Sequence, residues 1–183
     1  MNKNTYNNTV TKVMFFVLAT AVSLSAFSGN GSFPKGPDAS VTPGELCKDS
    51  TTYRYPEHIK YCARNVSSGL KSQIIAQYDH DLGFGIRQMS RGDFKIDHFI
   101  PLSIGGANEA SNLWPQHKSV YTITDPLESD VSNLISVAKI TQAEAIRVIK
   151  ECKLNLDRCP ELSDYLNSLY GAGGRQIYYI RSY

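Results

Sequence analysis

Hydrophobic and polar positions along this chain predict one early helix and a central pair of strands. Hydrophobic residues recur with the helical period over residues 56–78, where a proline suits the first turn. Residues 94–102 form an apolar run typical of a strand, and residues 112–115 predict a short return strand. Two adjacent glycines at positions 105 and 106 predict the turn between them.

Capping residues predict a second group of helices after the strands. Asp125 precedes a proline and, three residues later, Glu128, which is the pattern of a helix N-terminus. Thr141 and Glu144 form a second capping box. The predicted later elements are a helix over residues 125–137, a helix over 141–152, a helix over 160–169 and a small strand over 177–180. One helix, two strands and then further helices favour the α+β fold class.

The N-terminal region has the pattern of an export signal. Its longest apolar run covers 15 residues at positions 13–27, and only Lys3 and Lys12 carry charge before it. This pattern predicts a cleaved secretory signal peptide, since the run is short for a membrane span of ~20 residues; an uncleaved anchor is the alternative. The predicted boundaries are a signal peptide over residues 1–28, a flexible Gly/Pro/Ser-rich leader over 29–45 and one domain over 46–183.

Charge and cysteine content refine this picture. The formal net charge of +2 gives no protein-wide positive field of the kind that attracts nucleic acid, although a local basic groove is compatible with it. Four cysteines in an exported chain predict two disulfides, and their short spacings favour Cys47–Cys62 and Cys152–Cys159. A zinc site is the alternative, but the chain has no C-x₂₋₄-C pair.

The densest group of chemically reactive residues lies between positions 94 and 118. Asp97 and His98 are adjacent within the apolar strand, where two titratable side chains need partners that offset the cost of burial. Taken alone, the pair is compatible with a salt-bridged aspartate and a surface histidine. The residues around it favour a catalytic interpretation.

The wider pattern resembles the HNH, or ββα-metal, nuclease family. The segment Ile-Asp-His-x-Ile-Pro-Leu-Ser-x-Gly-Gly-x-Asn-(x)₃-Asn-Leu-Trp-Pro-Gln, at residues 96–116, is similar to that of exported bacterial members. An upstream element at residues 53–57 and 61–66 is similar too, so the resemblance covers roughly residues 44–150. It implies a ββα-metal core with flanking helices, and a periplasmic or secreted location.

The resemblance also implies a metal-dependent phosphodiester hydrolase. His98 takes the position of the general base, and Asp97 that of a ligand to one divalent cation. Asn112 takes the position of the residue that pins the loop between the strands and orients the base. A carboxylate ligand suits Mg²⁺, with Mn²⁺ as the second candidate.

The remaining metal ligand departs from the family pattern. Its usual position falls on Tyr121, which is a poor ligand. Glu128 has a hard oxygen in the first turn of a predicted helix, where its simpler role is that of a capping residue. His117 lies close to the motif and is a second candidate, although it could be an ordinary loop histidine.

Basic residues near the motif are candidates for substrate binding. Arg64 in the upstream element, together with Arg91 and Lys95 near the strand, could hold backbone phosphates. We therefore expect an exported endonuclease that cleaves DNA with low sequence specificity; RNA is a second candidate substrate. The alternative is a non-catalytic module that binds nucleic acid or an envelope protein. A toxin nuclease with a dedicated inhibitor protein is also compatible with the sequence.

Overall fold

A computed structural model describes residues 32–171 of the chain. Within that range lie four α-helices and two two-stranded antiparallel sheets, which confirms the α+β class. In chain order the elements are β1 (Tyr53–Arg54), β2 (Ile59–Lys60), α1 (Ser68–Asp81), β3 (Phe94–His98), β4 (Leu113–His117), α2 (Lys118–Ser136), α3 (Gln142–Leu154) and α4 (Cys159–Leu169). The predicted signal peptide and the predicted strand over residues 177–180 lie outside the described residues.

The predicted start of the first helix at residue 56 is wrong, because residues 53–60 form the β1–β2 hairpin. Tyr55 and His58 have φ angles of 64° and 57°, in the left-handed region that an α-helix does not use. Ile59 is buried against the C-terminal helices, so its hydrophobic position belongs to the hairpin. Helix α1 begins after Ser67, whose side chain accepts a hydrogen bond from the backbone of Leu70.

The central strand pair is confirmed, with shifted bounds. β3 and β4 pair antiparallel, with Asp97 opposite Trp114 and His98 opposite Leu113. β3 ends at His98 rather than at residue 102, because the chain turns there into a loop that includes a short 3₁₀ turn. β4 continues to His117, and all five of its residues are buried.

Helix α2 follows β4 without a connecting loop, so its predicted start at residue 125 is wrong. It begins at Lys118, and the side chain of His117 accepts the hydrogen bond that caps its first turn. Pro126 lies inside the helix on its exposed side, where the lost backbone hydrogen bond faces solvent. Asp125 is consequently a mid-helix residue and does not cap α2. The predictions for α3 and α4 agree with the structure to within two residues at each end.

The buried hydrophobic residues of the described chain form two clusters. The first joins α2, α3 and α4 and includes Leu134, Val148, Leu166 and Ile104. The second joins α1 to the strands and includes Tyr78, Ile96 and Trp114. The loop after β3 contributes Phe99 to the second cluster and Ile100 to the first, so the Asp97–His98 pair lies next to the place where the two clusters meet.

Both predicted disulfides are present. Cys47–Cys62 ties the segment before the β1–β2 hairpin to the segment after it, with a Cα–Cα distance of 5.7 Å. Cys152–Cys159 joins the end of α3 to the start of α4, with a Cα–Cα distance of 4.7 Å. Disulfides of this kind are typical of an oxidising, extracellular-type compartment.

The described part of the predicted leader lies against the domain. Thr42 is buried, and its hydroxyl donates to the carbonyl of Leu113 and contacts the hydroxyl of Tyr78. The backbone N–H of Gly44 donates to the carbonyl of Ser111. Among residues 32–171, no helix is both long and apolar enough to cross a bilayer.

Candidate active site

Asp97 and His98 occupy the end of β3, and only 5% and 2% of their surfaces are exposed. Strand geometry turns adjacent side chains in different directions. Asp97 contacts side chains of α2 and α3, whereas His98 contacts the loop between β3 and β4. A buried aspartate and a buried histidine at one strand end therefore have separate sets of partners.

Asn112 holds the β3–β4 loop closed and is itself completely buried. Its Oδ1 accepts from the N–H of Ile100, and its Nδ2 donates to the carbonyls of Ile100 and Ala107, all at 2.9 Å. Gly106 makes this closure possible, because a Cβ at that position would lie 1.8 Å from the carbonyl oxygen of Ile100. The described hydrogen bonds of Asn112 include none to the His98 ring; that bond comes from Asn108 instead.

Three carboxylates lie together on the α2 side of β3. One oxygen each from Asp97, Asp125 and Glu128 falls within 4.8 Å of the others. Asp125 and Glu128 share one face of α2 because they are three residues apart. Among the described residues, this is the group of acidic side chains best placed to hold a cation.

Two lysines already lie between these carboxylates. The Nζ of Lys153 is 2.9 Å from Asp97 Oδ2 and 2.6 Å from Glu128 Oε1, and it also donates to the carbonyl of His98 at 2.6 Å. The Nζ of Lys95 lies 2.8 Å from Asp125 and 3.6 Å from Asp97 Oδ1. The Lys153 side chain is fully buried, whereas that of Lys95 is 35% exposed.

Burial and these charges move the pKa values of the cluster in opposite directions. Burial alone would raise the pKa of Asp97, but Lys153 and Lys95 outweigh it and hold that pKa below its usual range. Burial, reinforced by Asp97, raises the pKa of Glu128 despite the attraction of Lys153. Burial would lower the pKa of Lys153, but its two carboxylate partners raise it, so the ammonium stays charged. Asp97 is therefore the firmly ionised carboxylate of the cluster.

His98 is held in its neutral form. Burial lowers the pKa of the imidazole, and the nearby charges of Arg64 and Lys153 lower it further. The hydrogen bond to Asn108 and the charge of Asp97 oppose this shift without reversing it. A neutral imidazole at physiological pH can accept a proton, as a general base must.

The donor set fits a hard divalent cation on one condition. Carboxylate oxygens are the ligands that Mg²⁺ and Mn²⁺ prefer, and the three here lie close enough to share one ion. Lys153 neutralises the buried side of the cluster and occupies Asp97 Oδ2. Asp97 Oδ1 and Asp125 are bridged only by the half-exposed Lys95. A cation held there must displace the Lys95 ammonium.

The other predicted site residues are placed differently. His117 caps α2 and stacks on the ring of Phe33, with ring centroids 3.9 Å apart. His117 pairs with Phe94, which lies three residue pairs along the β3–β4 ladder from Asp97. This separation places His117 about 10 Å from Asp97. His117 is not part of the carboxylate group. The structure therefore argues against His117 as a shared metal ligand.

The three basic residues predicted to bind substrate lie in different environments. Arg64 is exposed and close enough to His98 for its charge to act on the imidazole. Arg91 is exposed too, and its guanidinium donates to the carbonyl of Phe94. Lys95 is an ion-pair partner of Asp125, so the predicted contact of Lys95 with a phosphate would compete with that carboxylate.

Three residues complete this arrangement, and none of them is predicted as a site residue from the sequence. The sequence predicts a helix cap at Asp125 and gives Asn108 no role beyond its place in the motif. No role is predicted from the sequence for Lys153, although it follows Ile149 by four residues on the buried face of α3. A lysine at an apolar position of an amphipathic helix is the one local signal that could have indicated a buried carboxylate partner.

Comparisons of the chain with protein-family models, with curated proteins and with solved structures found no significant match.

Proposed function

We propose that the protein is a metal-dependent endonuclease of the HNH type, which hydrolyses phosphodiester bonds in DNA, with RNA as a second candidate substrate. The observation that carries this proposal is the pairing, at one strand end, of a neutral buried imidazole with an ionised carboxylate that belongs to a three-carboxylate group. The order β3, β4, α2, with the pair at the end of the first strand, supports a ββα core.

His98 supplies the base in the proposed reaction. Its neutral ring accepts a proton from a water molecule, and the hydroxide so formed attacks phosphorus. The bond from phosphorus to the leaving oxygen then breaks, and that oxygen takes a proton from solvent. Asp97 and Asp125, with Glu128 next to them, would hold one Mg²⁺ or Mn²⁺ ion, which offers Lewis-acid stabilisation of the charge on the phosphate.

Arg64 and Arg91 are proposed as phosphate contacts. Both side chains are exposed, and the charge of Arg64 acts on the His98 imidazole. Contacts to the phosphate backbone carry no base information, so the expected cleavage has low sequence specificity. The two disulfides and the predicted signal peptide support a secreted or periplasmic location in a bacterium.

The test is nicking of supercoiled plasmid DNA by purified, folded protein, with Mg²⁺ and with EDTA. We expect cleavage that EDTA abolishes. His98→Ala should keep the wild-type circular dichroism and lose about 10²- to 10⁴-fold in rate, the usual contribution of a positioned base. His80→Ala is the matched control, because His80 is exposed on α1. Wild-type nicking by folded His98→Ala would overturn the assignment of the base.

A non-catalytic binding module is the second candidate, and one observation favours it. Two lysines already neutralise most of the charge of the carboxylate group, as expected of a structural ion-pair network. Retention of DNA without metal-dependent cleavage would select this function.

A further inference from the structure

We infer that Asn108 is a positioning residue that fixes His98 in the tautomer with its proton on Nε2, so that Nδ1 is the nitrogen that accepts the proton from water. This inference rests on the proposed function for its catalytic meaning. The tautomer itself is a property of the folded protein and can be measured whether or not the protein cleaves DNA.

The orientation of the Asn108 amide is determined from two sides by backbone groups. Its Nδ2 lies 2.7 Å from the carbonyl oxygen of Ala63, which can only accept a hydrogen bond. The backbone N–H of Asn65 lies 3.3 Å from Oδ1 and can only donate. Exchange of the amide oxygen and nitrogen would place Oδ1 against the carbonyl oxygen of Ala63 and Nδ2 against the N–H of Asn65. Oδ1 must therefore be the atom that faces the N–H of Asn65.

This orientation decides where the proton of His98 lies. The Nε2 of His98 is 3.1 Å from the same Oδ1, which is an acceptor. A neutral imidazole has one donor nitrogen and one acceptor nitrogen, so Nε2 must carry the hydrogen and Nδ1 must carry the lone pair. Within residues 32–171 the structure gives Nδ1 no hydrogen bond, which leaves that nitrogen available to a water molecule.

Asn108 also ties His98 to the segment that carries Arg64. Its bonds to Ala63 and Asn65 bracket Arg64, whose charge acts on the His98 ring. The side-chain amide of Asn108 therefore fixes the relative positions of three parts of the site: the base, the loop after β3 and the proposed phosphate contact. Loss of the amide should disturb the tautomer and the position of Arg64 together.

The experiment is long-range ¹H–¹⁵N correlation NMR of full-length protein labelled with ¹⁵N-histidine, at an alkaline pH where the histidines are neutral. The spectrum of His98→Ala identifies the His98 signals by their loss. We expect the wild type to show Nε2 as the protonated nitrogen of His98. Asn108→Ala should give a mixture of tautomers, and Asn108→Asp should restore the Nε2–H form because a carboxylate oxygen also accepts from Nε2.

Glu109→Ala is the matched control, since Glu109 is the exposed neighbour in the same loop and its side chain caps no helical turn. It should leave the tautomer unchanged. In plasmid nicking, Asn108→Ala should lose about 10- to 100-fold, part of what a positioned base contributes, and Asn108→Asp should recover part of that loss.

Protonation of His98 on Nδ1 in the wild type would overturn the inference, as would an unchanged tautomer in Asn108→Ala. These outcomes are distinct from failure of the proposed function, in which folded wild-type protein shows the Nε2–H tautomer but does not nick DNA with Mg²⁺. The wild-type spectrum alone can decide against the inference if the variants fail to fold.

Discussion

At the scale of single residues, the two lysines in the carboxylate group have different roles, because one is buried and the other is not. The ammonium group of Lys153 donates hydrogen bonds to Asp97 and to the backbone of β3, and it forms an ion pair with Glu128. Lys95 is half-exposed and bridges the two carboxylates that a cation would use. We therefore expect removal of Lys153 to affect stability and removal of Lys95 to affect metal binding.

Lys153→Met should lower the free energy of unfolding at neutral pH by about 3–5 kcal/mol, the usual cost of breaking a buried ion pair from one side. In the wild type, the lowered pKa of Asp97 affects stability only below about pH 4, whereas the raised pKa of Glu128 adds stability as the pH falls towards about 5. Without Lys153, burial and the mutual repulsion of the two carboxylates should raise the pKa values of both Asp97 and Glu128. The folded state then binds more protons than the unfolded state.

Relative to the wild type, Lys153→Met should therefore gain stability as the pH falls from about 7 to about 5. Urea denaturation at several pH values measures both effects. A variant with wild-type stability and wild-type pH dependence would show that the ion pairs of Lys153 contribute nothing net.

Lys95→Met should increase the affinity for Mn²⁺ several-fold and lower the Mg²⁺ concentration needed for nicking. The physical reason is competition, since a divalent cation would no longer have to displace an ammonium group from Asp97 and Asp125. Calorimetry with Mn²⁺ alone gives a readout that does not depend on cleavage. Lys118→Met is the control, because Lys118 pairs with Asp93 outside the carboxylate group; equal effects of both variants would contradict the competition.

At the scale of secondary-structure elements, the β3–β4 loop depends on a close backbone approach at Gly106. A Cβ at that position would lie 1.8 Å from the carbonyl oxygen of Ile100 and 2.9 Å from Nδ2 of Asn112. Gly106→Ala should therefore open the loop and break the bonds of Asn112, at a cost of about 3 kcal/mol or more. Thermal denaturation measures the loss, and Gly69→Ala in α1, where a Cβ meets only a serine hydroxyl at 3.8 Å, is the control.

Elements with local start and stop signals were predictable from the sequence, and the others were not. Thr141 caps α3 as its sequence indicates, and a proline in the first turn marks the start of α4. The prediction for α1 merged it with a hairpin, because Ile59 continues the helical period by coincidence while it packs on a different cluster. The prediction for α2 started too late, because a mid-helix proline gives the same local signal as a first-turn proline.

The residues of the candidate site also differ in whether local sequence signals predict them. Asp97, His98 and Asn112 lie in one continuous motif, so the sequence alone could bring them together. Asp97 meets Lys153 across 56 residues of sequence, and that contact requires the packing of α3 against the end of β3. Neither periodicity nor capping predicts such a long-range ion pair.

At the scale of the whole molecule, each of the two disulfides stabilises a segment next to a different part of the candidate site. Cys152–Cys159 lies beside Lys153 within the completely buried helical cluster. Cys47–Cys62 joins the buried Cys47 to the half-buried Cys62, and the chain continues from Cys62 into Ala63, the backbone partner of Asn108. The bonds close loops of 15 and 7 residues, and chain entropy alone gives each about 2–3 kcal/mol of stabilisation.

Removing each disulfide by a double Cys→Ser substitution should therefore have different consequences. The Cys152/Cys159 variant should lose more stability, because both cysteines belong to the packed helical cluster and become hydroxyls there, whereas Cys47 and Cys62 belong to neither described hydrophobic cluster. The Cys47/Cys62 variant should lose less stability but proportionally more nicking activity, because the segment that holds Asn108 and Arg64 against His98 is released. Urea denaturation and nicking rates at a temperature where both variants are folded give the two quantities. Equal ratios of activity loss to stability loss in the two variants would show that the Cys47–Cys62 disulfide stabilises the fold without positioning the base.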